Sequence, residues 1–111
     1  MKTVEKPWGK EIWVAHTDKY VGKVIWINKG QRLSKQYHNI KHETLYVDSG
    51  VLYIEINGED RVMHEGDAIV ITPKTVHRMG AKGSDVKIFE VSTSEVEDVV
   101  RLEDDYGRKG K

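Results

Sequence analysis

Apolar and polar residues alternate with a period of two in short runs along this chain, and residues that favour turns separate the runs. Such alternation puts every second side chain on one face of a sheet, so it predicts strands with a buried side. The runs predict strands near 11–15, 20–28, 33–38, 43–47, 51–56, 61–64, 68–71, 76–79 and 86–91. Breaks fall at Lys29-Gly30, Asp48-Ser49-Gly50, Asn57-Gly58, Glu65-Gly66-Asp67 and 80–83. Asn57-Gly58 lies between two β-prone runs, where both residues tolerate positive φ, and predicts a tight hairpin. Many short strands at close spacing predict an all-β sandwich or barrel. One stretch has helical character: Ser94 to Glu97 has capping-box spacing, and Val96, Val99 and Val100 would share a helical face. The stripe soon breaks into Glu103-Asp104-Asp105, so a single helical turn is expected there.

With 111 residues the expectation is one domain spanning 1–111, its barrel core at about 10–92 and a tail at 93–111. The 18 basic and 18 acidic residues cancel, which gives no electrostatic reason to expect a nucleic-acid or membrane partner. Cysteine is absent, so disulfides and thiolate chemistry are excluded and any metal must be held by His, carboxylate or amide groups. Met1 to Trp8 is charged and has no apolar run of the signal-peptide type, and no stretch approaches the roughly 18 apolar residues of a membrane span. A cytoplasmic location is expected.

Gln36 and His38 lie two apart on an expected strand, so both point to one face with Ser34 while Lys35 and Tyr37 point to the other. In a small barrel one face is the interior, where a polar side chain costs free energy unless it is paired or metal-bound. Glu43 opens the next strand after an expected turn at 39–42, and its carboxylate can return to the same interior. His77 lies far along the chain, on a strand able to pair across the barrel. Each of these residues taken singly has an ordinary explanation, since most strand histidines are simply hydrogen-bonded.

Their joint spacing is more specific. Gly30 is followed by five residues, Gln36-Tyr37-His38, four residues, Glu43, six residues and Gly50; Gly66 and His77 lie eleven positions apart with Pro73 between them. This two-part pattern resembles the paired motifs of the cupins, which are double-stranded β-helix (jelly-roll) barrels. Gln36 stands where the first motif usually begins with His, and Ala81 where the second often ends in Asn. The resemblance implies a divalent metal on Gln36, His38, Glu43 and His77. Two imidazoles, a carboxylate and an amide oxygen suit zinc, manganese, iron, cobalt or nickel.

Further segments narrow the resemblance. Lys6-Pro7-Trp8-Gly9, Tyr20, Lys23, the run from Leu33 to His38, Glu90-Val91, the run from Glu97 to Asp104, and Tyr106-Gly107-Arg108 resemble one cupin branch. It is the type II mannose-6-phosphate isomerase domain of bifunctional isomerase/GDP-mannose pyrophosphorylase enzymes. That likeness implies a metal-dependent aldose–ketose isomerase, commonly with zinc, and a sugar-phosphate substrate; it does not imply pyrophosphorylase activity. Family members often carry a run of His after the second ligand, where this chain has Asn39 and Ile40.

Moving a proton between C1 and C2 of a sugar phosphate calls for stabilised negative charge on the sugar oxygens and for a nearby acid/base. Glu90, inside an otherwise apolar strand and in phase with Ile88, is the first candidate; Lys23, in phase with Ile25 and Ile27, is the second. For the phosphate, Arg101 and Arg108 in the family-like tail are expected, with Lys6; Lys35 and Arg78 are also eligible. Trp8, Trp13 and Trp26 are expected to pack, and are eligible to line a sugar site. The alternatives are an iron-dependent oxygenase, because His38, Glu43 and His77 form a two-His, one-carboxylate set, and a non-catalytic sugar-binding module. Small cupins usually pair through sheet edges, so a homodimer is expected.

Overall fold

Asn57 and Gly58, with φ of 48° and 84°, reverse the chain between β6 (Leu52–Ile56) and β7 (Glu59–Met63), forming the hairpin that the Asn-Gly pair predicts. The computed structural model describes residues 1–110 and contains nine further strands among them. These are β1 (Lys2–Lys6), β2 (Gly9–His16), β3 (Val21–Ile27), β4 (Lys35–Tyr37), β5 (Glu43–Ser49), β8 (Ala68–Ile71), β9 (His77–Gly80), β10 (Val86–Ser92) and β11 (Val100–Glu103). One sheet has the order β1-β2-β3-β10-β5-β8 and the other β11-β4-β9-β6-β7, with every pairing antiparallel. Neighbours such as β3–β10 and β4–β9 are distant in sequence, which is how a jelly roll wraps. The expected all-β, double-stranded β-helix fold is the one observed.

Alternation along three adjacent strands divides the interior into two ends. Val21, Lys23, Ile25 and Ile27 of β3 point inward, as do Glu43, Leu45 and Val47 of β5 and Val86, Ile88, Glu90 and Ser92 of β10. Register puts Ile88 beside Ile25 and Val47, Glu90 beside Lys23 and Leu45, and Ser92 beside Glu43. The apolar end continues into Trp8, Leu33, Leu52, Ile54 and Met79, all nearly inaccessible to solvent. Each fully buried side chain of this size stabilises the fold by about 1.5–3 kcal/mol, so the apolar end can carry a polar end whose groups must find partners.

Two features depart from the sequence expectation. β1 and β11 add an edge strand to each sheet, one paired only with β2 and the other only with β4. The expected helical turn near 94–97 is absent. Val96 N–H donates to Ser94 O, Val99 N–H to Glu97 O, and a longer bond of 3.3 Å joins Asp98 N–H to Glu95 O. Helix nucleation is unfavourable in so short a stretch. Here Thr93 is tied to His42, Asp98 to the 39–41 turn, and β11 begins at Val100, so no room remains for a helix.

Candidate metal centre

Three of the four expected ligands converge at the polar end of the interior. His38 follows β4, Glu43 opens β5 and His77 opens β9, and all three are buried. Nε2 of His38 lies 3.8 Å from Glu43 Oε1 and Nε2 of His77 lies 3.5 Å from the same oxygen. The candidate ligand atoms all fall within 4.8 Å of one another. Gln36 pairs with His77 across β4 and β9 and lines the same cavity as His38 and Glu43.

Hydrogen bonds on the far side of each ring set its chemistry. Nδ1 of His38 contacts the main-chain oxygen of Asp98, and Nδ1 of His77 lies 2.9 Å from Thr75 O. A carbonyl oxygen can only accept, so each Nδ1–H donates outward and each Nε2 faces Glu43 inside the barrel. The buried Nε2 of His77 makes no hydrogen bond of its own. Two imidazole nitrogens and a carboxylate oxygen thus face one another in the barrel, a set that a proton on Nε2 or a divalent cation can join. Ligand atoms about 2 Å from a divalent ion suit this mixed N/O set, and backbone carbonyls behind the rings are the usual outer support of such sites.

Lys41, which the sequence reading did not single out, completes the buried charge. Its Nζ lies 3.0 Å from Glu43 Oε2 and 3.1 Å from Glu90 Oε2. Burial alone would lower the Lys41 pKa, but Glu90 and Glu43 outweigh it and raise the ammonium above its ordinary value. Burial would likewise raise the Glu43 carboxyl, yet the flanking imidazoles and Lys41 hold it well below the usual range. The signal for Lys41 was its parity with Glu43, two residues on. Behind His38, the Asp98 carboxyl would be raised by burial, but three backbone N–H groups from Lys41, Ile40 and Asn39 hold it down at about 2.

The two catalytic candidates and the three expected phosphate ligands open on one cavity of about 100 Å³ with Gln36, His38 and Glu43. Lys23 donates to Glu11 Oε1 at 3.2 Å, as does Trp13 Nε1 at 2.9 Å, and the Lys23 ammonium lies over the Trp13 ring. Glu11 is a second residue the sequence reading missed. Burial would raise its carboxyl, but Lys23 and the Trp13 hydrogen bond lower it. Burial pulls the Lys6 ammonium below its ordinary value; Glu11 opposes this, while Lys23, Arg101 and Arg108 add to it. Burial and the neighbouring Arg108 likewise lower Arg101. Arg108 is gripped by Asp104 through bonds of 2.9 and 3.0 Å.

Other eligible residues lie elsewhere. Arg78 donates to Leu33 O and to Asp105, and Lys35 pairs with Glu55 and Glu103; neither lines the cavity. Of the tryptophans, Trp8 and Trp13 line it, while Trp26 lies under the Lys10 and Lys87 ammonium groups.

Comparison with known proteins agrees with the fold and narrows the family. The model of the family described as mannose-6-phosphate isomerase C-terminal matches residues 1–104. The mannose-1-phosphate guanylyltransferase ManC of Salmonella typhimurium is 33% identical over 111 residues, covering 96% of this chain and 23% of the relative. The chain spans about a quarter of the length of the curated relatives it matches. Among solved structures, KdgF from Halomonas sp. superposes with a TM-score of 0.79 at 23% identity, covering 88% of this chain and 90% of that one. A sugar phosphate isomerase of the cupin superfamily from Silicibacter pomeroyi gives a TM-score of 0.68 at 14% identity, covering 76% and 58%.

Proposed function

The chain belongs to the mannose-6-phosphate isomerase C-terminal family, and we propose that it is a metal-dependent isomerase interconverting mannose 6-phosphate and fructose 6-phosphate. The observation that carries this reading is the charge lining one cavity. Five cationic side chains, Lys6, Lys23, Lys41, Arg101 and Arg108, line it against the carboxylates Glu11, Glu43 and Glu90. Asp104 further neutralises Arg108. A divalent ion on the His38–Glu43–His77 side leaves a surplus of positive charge, which a phosphate dianion meets.

In this reading Gln36, His38, Glu43 and His77 hold the metal, zinc first among the candidates. Bound there, the ion supplies Lewis-acid stabilisation of negative charge on the sugar oxygens. Glu90, next to the Lys41 ammonium, carries the proton between C1 and C2. Lys23, fixed by Glu11, donates a hydrogen bond to the sugar, and Lys6, Arg101 and Arg108 bind the phosphate. The apolar end of the barrel, with Ile25 and Leu33 at the cavity wall, keeps bulk water from the reacting carbons. The reading includes a cytoplasmic homodimer paired through a sheet edge; no helix among the described residues is long and apolar enough to cross a membrane.

The test is direct. Zinc-loaded protein should convert mannose 6-phosphate to fructose 6-phosphate, and Glu90→Gln should abolish turnover while leaving zinc bound. Absence of turnover with zinc, manganese, cobalt, nickel and iron across several sugar phosphates would sink the proposal. The His38–Glu43–His77 triad also matches the two-His, one-carboxylate set of non-haem iron enzymes. Oxygen consumption by the iron-loaded protein with a small-molecule substrate would select that second reading.

A further inference from the structure

The expected metal ligands all come from 36–77, yet one of them is held by a residue far along the chain. His38 Nδ1 contacts the main-chain oxygen of Asp98. The carboxylate of the same residue accepts three consecutive backbone N–H groups, from Asn39 at 3.0 Å on Oδ1 and from Ile40 and Lys41 at 2.7 and 2.9 Å on Oδ2. Asp98 therefore grips the ring of His38 and the turn that spaces His38 from Glu43. It also grips the backbone of Lys41, whose ammonium lies between Glu43 and Glu90. Hydrogen bonds to a charged acceptor are about twice as strong as neutral ones, so three on one carboxylate make a stiff clamp.

The segment bearing Asp98 is itself anchored on both sides. Thr93 N–H donates to His42 O at 3.0 Å, and its hydroxyl accepts His42 N–H at 3.1 Å. Further on, Val100 of β11 pairs with Tyr37 of β4, next to His38. Between these anchors Val96 and Val99 form part of the cavity wall. The segment 93–100 is thus built against the candidate ligands rather than trailing past them.

We propose that Asp98 is a positioning residue of the metal centre: without touching the ion, it fixes His38 and the 39–42 turn so that His38 Nε2 and the Glu43 carboxylate meet one divalent cation. This rests on the metal-binding part of the reading above and is independent of the substrate. An Asp98 of purely structural value would stabilise the fold and leave the metal affinity of folded protein unchanged. Loss of an outer partner of a ligating histidine typically costs 10–100-fold in metal affinity.

The experiment measures zinc affinity by chelator competition on the full chain and its Asp98→Ala, Asp98→Asn and Asp67→Ala variants. Asp67 makes a comparable carboxylate-to-backbone bond, 2.8 Å from His64 N, in the turn between β7 and β8, and serves as the control. Asp98→Ala keeps the main-chain oxygen against His38 Nδ1 but removes the clamp on the 39–41 turn, so it should weaken zinc binding by about tenfold, the lower end of the range for losing a whole outer partner. Asp98→Asn, which keeps one acceptor oxygen, should weaken it less. Asp67→Ala should lower the unfolding midpoint and retain parental affinity.

Imidazole NMR of the metal-free proteins gives a second readout. The His38 Nδ1 proton should exchange slowly in the parent and in Asp67→Ala, faster in Asp98→Asn and fastest in Asp98→Ala. Zinc affinity within twofold of the parent in Asp98→Ala overturns the proposal. If that variant does not fold, parental affinity together with parental Nδ1 exchange in Asp98→Asn overturns it equally. A parent that binds neither zinc nor manganese removes the metal reading and this proposal together, an outcome distinct from retained affinity in the variants.

Discussion

A lysine ammonium buried between two carboxylates holds the polar end of the barrel by mutual compensation. Lys41, Glu43 and Glu90 are each no more than 6% exposed at the side chain, so removing one leaves the others charged and poorly solvated. Removing one partner of a buried ion pair costs about 3–5 kcal/mol, and Lys41→Met should lower stability by that amount in urea unfolding. Lys41→Met/Glu90→Leu should recover part of the loss, and a single-variant cost under about 1 kcal/mol would contradict the buried-triad account. At this scale the sequence was legible where spacing carried the information: His38, Glu43 and His77, singled out by their intervals, come together in the fold, and Gln36 lines the same cavity. Lys41, in the turn before β5, and Glu11, in β2, were not, because a charged residue ordinarily reads as solvent-facing surface. Their burial depends on Glu90 and Lys23, which the chain brings to them only after the sheets have formed.

Strands β3, β5 and β10 were legible because their alternation is strict and one face is fully buried. β1 and β11, with sequences KTVEK and VRLE, were not: each pairs on one side only and buries little, so no periodicity marks it. The glycine between β5 and β6 shows how backbone chemistry fixes an element junction. Gly50 has φ of 84°, and a Cβ there would lie 2.4 Å from Asp85 O at the start of β10. Gly30 has a similar φ of 79° with nothing within 4 Å of such a Cβ. Gly30→Ala should therefore cost only the left-handed backbone penalty, about 1–3 kcal/mol. Gly50→Ala should cost clearly more, because the β10 backbone must also move. Equal urea midpoints for the two variants would show that the close approach to Asp85 carries no weight.

The formal charges cancel over the whole molecule, but they are segregated, with a cationic surplus gathered in the cavity. The sheets end in four edges, β1 and β8 in one and β11 and β7 in the other. β7 begins Glu59-Asp60-Arg61, charges that discourage pairing, whereas β8 is Ala68-Ile69-Val70-Ile71 with Val70 54% exposed. If the homodimer forms through an edge, β8 is the edge that fits. Sedimentation should give twice the 12.8 kDa of the chain, and Val70→Lys should return it to the monomer; a monomeric parent would end the dimer expectation. The division of the cavity between chain segments also bears on its assembly during synthesis. The candidate ligands at 36–77 leave the ribosome before Asp98, Arg101 and Arg108, but a domain folds as a unit and β10 must enter between β3 and β5. On the proposed reading the metal and phosphate sites therefore mature together, once residues 86–92 and the segment bearing Asp98 have joined the sheets.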